Sequence, residues 1–159
     1  MIHLTDIDES NFPEALRLSV SETQRRFLAD AAGILARGYA YRRCNARVFG
    51  IADDDRLTGL ALVRDLDEEP ACYDLQQFFI DRRFQGRGFG AQALQLILRL
   101  LQAEGHYPCV EVCVDRTNTA ALRLFESNGF TDTGYVDPDL PDSRNLMHHF
   151  PSPSIQENL

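Results

Sequence analysis

The sequence contains no long apolar run and little that points to a secreted, membrane or metal-binding protein. No stretch is long and apolar enough for a membrane-spanning helix, and the first residues lack the basic and apolar regions of a signal peptide. The four cysteines follow no disulfide framework and no cysteine–histidine spacing typical of zinc. We therefore expect a cytoplasmic globular protein with reduced thiols and without a metal site.

Basic residues are also in short supply. The chain has 16 arginines plus lysines against 24 aspartates plus glutamates, which leaves a formal net charge of −8. Because binding to nucleic acid or to an anionic membrane depends on basic side chains that neutralise phosphate, the composition argues against both partners. The surplus of negative charge suits a cationic substrate, although it also serves ordinary solubility.

The length of 159 residues is typical of a single domain. We predict one domain over residues 1–150 and a disordered polar tail over residues 151–159. Periodicity and turn signals predict two amphipathic helices, a hairpin, a strand, a helix, a strand, a capped helix and a final hairpin. These elements cover residues 11–18, 22–37, 47–63, 72–80, 91–102, 109–114, 118–128 and 131–150.

The most informative segment is the glycine-rich run Gln85–Gly90, which lies between a predicted strand and a predicted helix. A strand, a glycine turn and a helix in this order direct several backbone N–H groups and the positive end of a helix dipole to one place. Glycine tolerates positive φ angles and lets an anion approach the backbone closely. Arg87 adds a permanent positive charge. The segment therefore predicts a phosphate-binding loop rather than an ordinary tight turn.

The segment matches the sequence patterns of two common phosphate-binding loops poorly. The Walker pattern is absent. The dinucleotide fingerprint is formally matched by Gly88-x-Gly90-x-x-Ala93, with Glu111 at about the right distance beyond it. However, residues 81–85 separate these glycines from the strand, and the chain is short for two mononucleotide-binding halves. A dinucleotide-binding oxidoreductase thus stays open as a remote alternative.

A third loop fits both the residues and their surroundings. Gln85-x-x-Gly88-x-Gly90 resembles the Gln/Arg-x-x-Gly-x-Gly/Ala loop of the GNAT superfamily of N-acetyltransferases. Residues 118–130, NTAALRLFESNGF, are similar to the second motif of that family, Asn-x-x-Ala-x-x-Leu-Tyr-x-x-x-Gly-Phe. One predicted helix and one strand separate the two motifs, as in the family. The resemblance implies an α/β (α+β) fold with a mixed, mostly antiparallel sheet, helices on both faces and a splayed central strand pair.

The resemblance also implies acetyl-coenzyme A as the cosubstrate and a primary amine as the acceptor. The pyrophosphate would lie on the glycine loop, and the thioester would lie against the backbone where the strand before the loop splays from its neighbour. The residues that the resemblance assigns to acetyl-CoA are Phe79, Ile80, Gln85, Gly86, Arg87, Gly88, Phe89, Gly90, Asn118 and Phe125.

Acetyl transfer to an amine requires a base, because the amine is mostly protonated at neutral pH. Asp74 aligns by its spacing from the glycine loop with the catalytic glutamate of some family members, so we predict Asp74 as the base. The period of a strand predicts that Asp74, Gln76 and Phe78 share one face. We predict Gln76, together with Glu22 on the second helix, as substrate-binding residues.

Phe125 departs from the family pattern, which has a tyrosine at this position that protonates the departing thiolate. A thiol with a pKa of about 8.5 is a tolerable leaving group without help, and solvent, Tyr135 or Cys113 are other proton sources. The departure keeps open a second hypothesis, a GNAT-fold module that binds acetyl-CoA without efficient catalysis.

The acceptor is suggested by a narrower resemblance. Residues 75–81, LQQFFID, followed by residues 84–88, FQGRG, are most similar to the spermine/spermidine (diamine) N-acetyltransferases. Those enzymes tend to have acidic residues where this chain has Gln76 and Gln77. The resemblance implies a small cationic amine, with a polyamine as the leading candidate, and a homodimer is our expectation for the assembly.

Overall fold

The computed structural model describes residues 1–152, so most of the predicted disordered tail lies outside the described residues. Its seven strands are β1 (Ile2–Asp6), β2 (Arg47–Asp53), β3 (Arg56–Leu66), β4 (Cys72–Ile80), β5 (Cys109–Asp115), β6 (Thr131–Asp132) and β7 (Ser143–His149). Its α-helices are α1 (Phe12–Ala15), α2 (Ala31–Ala40), α3 (Phe89–Glu104) and α4 (Thr119–Ser127). Short 3-10 helices span Glu22–Phe27 and Arg42–Cys44.

The seven strands form one sheet in the order β1-β2-β3-β4-β5-β7-β6. Every neighbouring pair is antiparallel except β4 and β5, which are parallel. This central pair is joined only at Tyr73–Val110 and Asp74–Glu111, and beyond these residues the two strands diverge. The predicted mixed, mostly antiparallel sheet with a splayed central pair is therefore confirmed.

Helices cover both faces of the sheet, also as predicted. On one face the apolar stripe of α3, which includes Leu94 and Ile97, packs against Leu75 of β4 in the larger core. On the other face α1 and α2 pack with Ile34 and neighbouring residues against Leu60 of β3. The splay between β4 and β5 consequently opens between two well-packed layers, which hold its walls in place.

A β-bulge in β4 changes which side chains share a face. Leu75 pairs with Val63 and Gln77 pairs with Leu62, so Gln76 is an extra residue without a partner on β3. One inserted residue reverses the alternation of the side chains that follow. Phe78 accordingly lies on the α3 face and Phe79 on the α2 face. The prediction that Phe78 shares a face with Asp74 and Gln76 is wrong for this reason.

The predicted helix over residues 22–37 is two separate elements. Leu28 is extended, with φ −153° and ψ 164°, and it ends the 3-10 helix. The carboxylate of Asp30 then accepts a hydrogen bond of 2.7 Å from the Gly33 N–H and caps the start of α2. Apolar periodicity continued across this break, which is why the sequence predicted one helix. The break leaves the 3-10 helix free to lie over the splay.

Two other predicted elements are shorter than expected. The first helix forms only over Phe12–Ala15, and β6 ends at Asp132 rather than continuing to position 136. The side chain of Asp132 accepts a hydrogen bond of 2.8 Å from the Gly134 N–H, and Gly134 has a φ of 78°. This turn directs the chain away from β7.

Among residues 1–152, no helix combines the length and the apolar composition needed to cross a membrane.

Candidate active site

The glycine loop connects the end of β4 to α3 with the geometry of an anion-binding site. Gly86 and Gly88 have φ angles of 78° and 80°, in the left-handed region that favours glycine. Gly88 is the N-cap of α3 and brings no side-chain acceptor to the first turn. Because the first N–H groups of a helix have no partner within it, they are available to an anion.

The loop borders a cavity of about 310 Å³. Every residue predicted to contact acetyl-CoA lines this cavity except Arg87. The exposed guanidinium of Arg87 instead lies 5.7 Å from the centre of the Phe84 ring, at the outer side of the loop. We call this the cofactor cavity; its predicted lining residues are Phe79, Ile80, Gln85, Gly86, Gly88, Phe89, Gly90, Asn118 and Phe125.

The cofactor cavity reaches into the splay between β4 and β5. Residues 76–80 of β4 have no pairing partner on β5, so their backbone groups on that side are not used by the sheet. The Ile80 carbonyl is an exception, because it accepts a hydrogen bond of 2.8 Å from Gln85 Nε2. Backbone N–H groups left free in this way are suitable donors to the oxyanion that forms when a thioester is attacked.

The 3-10 helix Glu22–Phe27 closes one side of the cofactor cavity, and the sequence did not predict this contact. Gln24 Oε1 accepts a hydrogen bond of 3.0 Å from Gln85 Nε2 of the glycine loop. Arg26 donates one of 3.3 Å to Thr117 Oγ1, just before α4. The 3-10 helix thus contacts both the glycine loop and the residue that precedes the second motif. No local motif marks these residues, because their role depends on contacts between distant parts of the chain.

Asp81 also has a role that the sequence did not predict. Its side chain is 1% exposed and accepts hydrogen bonds from the Ser19 N–H, the Arg83 N–H and Arg83 Nε at 2.8–2.9 Å. Burial opposes ionisation, but these hydrogen bonds from Arg83 and Ser19 outweigh it and hold the pKa of Asp81 below its usual value. The charged Asp81 therefore fixes the α1–α2 connection to the start of the glycine loop.

A larger cavity, of about 760 Å³, opens on the sheet face that carries α1 and α2. Asp74 and Gln76 of β4 line it, as do Glu111 and Cys113 of β5. The remaining charged residues around it are Arg64, Glu68, Glu69 and Asp137. We call it the acceptor cavity. Carboxylates outnumber cationic groups on its walls, so a cation is favoured there. Alternation along β5 could have placed Glu111 beside Cys113 from the sequence.

Asp74 has the environment of a base. The residue is 7% exposed, and its Oδ2 atom accepts a hydrogen bond of 2.9 Å from Arg64 Nε. Burial raises the pKa of Asp74, and the Arg64 guanidinium only partly offsets this. A carboxylate with a raised pKa is a better proton acceptor. Glu22, by contrast, is exposed and lines neither cavity, so the structure does not bring it together with Asp74 and Gln76.

Phe125 forms an apolar wall of the cofactor cavity. It is 4% exposed and makes edge contacts with Phe78 and Phe130, with ring centres 6.1 and 5.2 Å away. The two other residues considered as proton donors to the thiolate, Tyr135 and Cys113, line the acceptor cavity and not the cofactor cavity. This placement favours thiolate departure without a dedicated acid.

Replacing Phe125 with tyrosine tests that idea. Phe125→Tyr should raise kcat, or leave it nearly unchanged, because a hydroxyl at this position can protonate the departing sulfur. General acid assistance is worth up to about 10²–10⁴-fold, which bounds the gain. Steady-state kinetics at saturating acetyl-CoA measure the effect. A clear fall in kcat with unaltered affinity for CoA would mean that another group already donates the proton and that the added hydroxyl only obstructs it.

Comparison with known proteins indicates the family of the chain. Residues 4–130 match the model of the acetyltransferase (GNAT) family. The chain is 25% identical over 142 residues to a spermine/spermidine N(1)-acetyltransferase of Bacillus subtilis, covering 86% of this chain and 91% of that protein. The fold is shared with a Salmonella typhimurium acetyltransferase that modifies the N-terminal serine of ribosomal protein L7/L12, with a TM-score of 0.74, 18% identity and coverage of 94% and 95%.

A further structural relative contains coenzyme A. The PaiA N-acetyltransferase of Thermoplasma acidophilum, solved in complex with coenzyme A, superposes with a TM-score of 0.69 at 13% identity, over 94% of this chain and 99% of that one. The family match spans most of the chain. The protein therefore belongs to the acetyltransferase (GNAT) family, and the prediction of an acetyl-CoA-dependent acyltransferase is confirmed. The dinucleotide-binding oxidoreductase is set aside. No group of metal-binding side chains occurs within residues 1–152.

Proposed function

We propose that this protein transfers the acetyl group of acetyl-CoA to a primary amine of a small cationic molecule by direct attack. The observation that carries the proposal is that two different cavities are lined by successive parts of β4, where this strand diverges from β5. The cofactor cavity borders the glycine loop, and the acceptor cavity has an excess of carboxylates. Thioester and amine would approach each other along β4, near the bulge formed by Gln76.

In this proposal the glycine loop holds the pyrophosphate, with Gly88 and the first turn of α3 as the donors. Asn118 supports the other wall, since its side chain caps α4 by accepting a hydrogen bond of 3.3 Å from the Ala121 N–H. Backbone groups near Phe79 and Ile80 stabilise the oxyanion. Asp74 accepts the proton of the amine, either directly or through a water molecule.

Direct attack is supported by the state of the nearby thiol. Cys113 lines the acceptor cavity and is the one cysteine side chain that a covalent route through this cavity could use. The Cys113 residue is exposed, but partial desolvation of its thiol raises the pKa. Since the thiolate is the nucleophile, a raised pKa makes Cys113 a poor carrier of the acetyl group. The amine is then the only strong nucleophile in the proposed reaction.

A polyamine is the leading acceptor in this proposal. The acidic lining of the acceptor cavity favours a molecule with several positive charges, and the Bacillus subtilis relative is named for spermine and spermidine. A second acceptor class, the N-terminus of a protein, is suggested by the Salmonella typhimurium structure. The excess of carboxylates favours the polyamine, because a protein N-terminus carries a single charge. The homodimer and the cytoplasmic location remain predictions.

An acceptor panel tests the proposal. We expect spermidine, spermine and shorter diamines to be acetylated with a kcat/KM at least about tenfold above that of neutral-chain monoamines or peptide N-termini, since each good charge-assisted contact contributes roughly that much. The assay follows CoA thiol release for each amine. Preference for a peptide would contradict the polyamine. Thermal stabilisation by acetyl-CoA without turnover of any amine would support a binding module instead.

A further inference from the structure

Glu111 occupies a distinctive place in the acceptor cavity. It is the β5 residue directly opposite Asp74, in the last residue pair before β4 and β5 diverge. Its side chain is half-buried and lines the cavity. Asp74 and Glu111 thus place two carboxylates side by side at the base of the splay, below the position where we expect the reacting amine.

The two carboxylates differ in their counter-ions. Asp74 forms a salt bridge of 2.9 Å with Arg64, whose guanidinium also lies 4.3 Å from the centre of the Tyr41 ring. Within residues 1–152, Glu111 has no salt bridge. Its neighbours include the Cys72 thiol, at 4.0 Å from Oε2. Glu111 is therefore the carboxylate at the base of the cavity that is free to take a cation.

The electrostatic surroundings of Glu111 favour that cation. Burial raises the pKa of Glu111, and the negative charges of Asp74 and Glu68 raise it further, while the hydrogen bond from Asn145 and the charge of Arg64, which is paired with Asp74, act in the opposite direction. A partly buried carboxylate without a counter-ion is costly. A positively charged ligand group beside Glu111 would remove this cost. The rim carboxylates Glu68 and Glu69 are exposed, so solvent screens them and they contribute less.

The distance to Gln76 indicates what kind of ligand fits. Gln76 lies two residues beyond Asp74 on β4, which corresponds to about 7 Å along a strand. The Oε1 atom of Gln76 is buried and has no hydrogen-bond donor within residues 1–152. An amine beside Gln76 would supply a donor. A second nitrogen separated from it by three or four methylene groups would then reach the level of Glu111.

From these features we infer that Glu111 binds the second ammonium group of a diamine or polyamine acceptor and so selects such acceptors over monoamines. The inference rests on the proposed acetyltransferase function and adds a specificity-determining residue to it. Asp74 keeps the role of base, acting through a water molecule on the amine beside Gln76, and Glu111 acts on the part of the acceptor that does not react. Loss of Glu111 should consequently weaken binding of diamines and leave the chemical step alone.

The test compares butane-1,4-diamine with butan-1-amine, which have the same carbon chain but differ in the second ammonium. In the wild-type protein we expect the diamine to have the lower KM. Glu111→Gln should raise the KM for the diamine on the order of tenfold to a hundredfold, the value of a hydrogen bond to a charged group. The KM for the monoamine and the kcat for both amines should change less than about twofold.

Matched variants separate this role from a general effect of charge or folding. Glu9→Gln and Glu126→Gln each remove an exposed carboxylate that lines neither cavity, so each should change both KM values little. The melting temperature of Glu111→Gln with and without acetyl-CoA shows that the fold and the cofactor cavity are intact.

Two results would overturn the inference, and only one of them would also overturn the proposed function. If the wild-type protein is active and Glu111→Gln affects both amines equally, Glu111 acts in catalysis or folding and not in selection, while the proposed function stands. If the wild-type protein acetylates neither amine under conditions where acetyl-CoA stabilises it, the proposed function fails and the role of Glu111 fails with it.

Discussion

Gly88→Asp is expected to abolish binding of acetyl-CoA while leaving the protein folded. Gly88 has a φ of 80° and caps the helix whose first N–H groups face the loop. A carboxylate at this position would stand against the pyrophosphate, and like charges in contact cost several kcal/mol. We therefore expect the affinity for acetyl-CoA to fall on the order of a hundredfold or more.

Thermal unfolding measures this loss directly. A ligand at about 100 times its Kd stabilises a protein by about 2.7 kcal/mol, which for a chain of this size raises the melting temperature by roughly 5–10 °C. The wild-type protein should show such an increase with acetyl-CoA, and Gly88→Asp should not. Folding itself should survive, because a side chain added at Gly88 meets only Gln92 Nε2, at 3.8 Å.

Two controls distinguish charge from backbone strain. Gly88→Asn has the same shape and the same positive φ but no charge, so it should keep most of the stabilisation by acetyl-CoA. Gly134→Asp introduces the same residue at a φ of 78°, where an added Cβ atom meets nothing within 4 Å, and Gly134 does not line the cofactor cavity. This variant should be stabilised by acetyl-CoA as fully as the wild-type protein. A full response of folded Gly88→Asp would exclude the loop as the phosphate site.

Asp74→Asn should lower kcat/KM at neutral pH on the order of a hundredfold or more, because the substitution keeps the size of the side chain and removes its basicity. Burial raises the pKa of Asp74, so in the wild-type protein the basic form is lost as the pH falls through this raised value. The acidic limb of the pH profile should therefore disappear in the variant. The deficit should shrink at high pH, where the free amine forms unaided.

The salt bridge with Arg64 requires a further control. Asp74→Asn leaves the Arg64 guanidinium without its partner at 2.9 Å, and an unpaired cation would repel a cationic amine. In the double variant Asp74→Asn with Arg64→Gln, this repulsion is absent. If Asp74 is the base, the double variant should remain as slow as Asp74→Asn. Recovery of kcat/KM in the double variant, or an unchanged kcat/KM in the single one, would show that the base lies elsewhere.

The parts of the fold that the sequence predicted well are those set by local pattern. The strand Cys72–Ile80 and the helix that follows the glycine loop were visible as apolar periodicity next to a glycine turn. The bulge at Gln76 was not, because a β-bulge depends on the register with β3 and leaves no mark in the residue types. One bulge was enough to invert the predicted face of Phe78.

The same distinction applies to the site. The residues that the glycine loop and α4 contribute to the cofactor cavity were predicted from two motifs, since each motif is a contiguous segment, whereas the wall formed by the 3-10 helix was not. The acceptor cavity depends on residues that are distant in sequence, and the salt bridge of Asp74 with Arg64 could not be predicted from spacing alone. Glu111 belongs to this second group, because its importance follows from its position opposite Asp74 in the parallel pair.

The sequence excludes acetylation of lysine side chains as a side reaction in the central experiment. The 16 basic residues of the chain are all arginine, so the protein has no lysine that could accept an acetyl group and obscure the reaction. The free N-terminus is the one primary amine that the chain itself contains. Any acetyl group that appears on the protein in the absence of an added amine can therefore be assigned by intact mass and peptide mapping.

The most direct measurement follows acetyl-CoA, the amine and the protein together in one reaction. Without amine, we predict no release of CoA thiol beyond the slow background and no acetylated protein. With the preferred amine, we predict one molecule of N-acetylated amine for each CoA thiol released. Thiol release without acetylated amine, or an acetyl group on Cys113 that passes to the amine on its addition, would contradict direct transfer from acetyl-CoA.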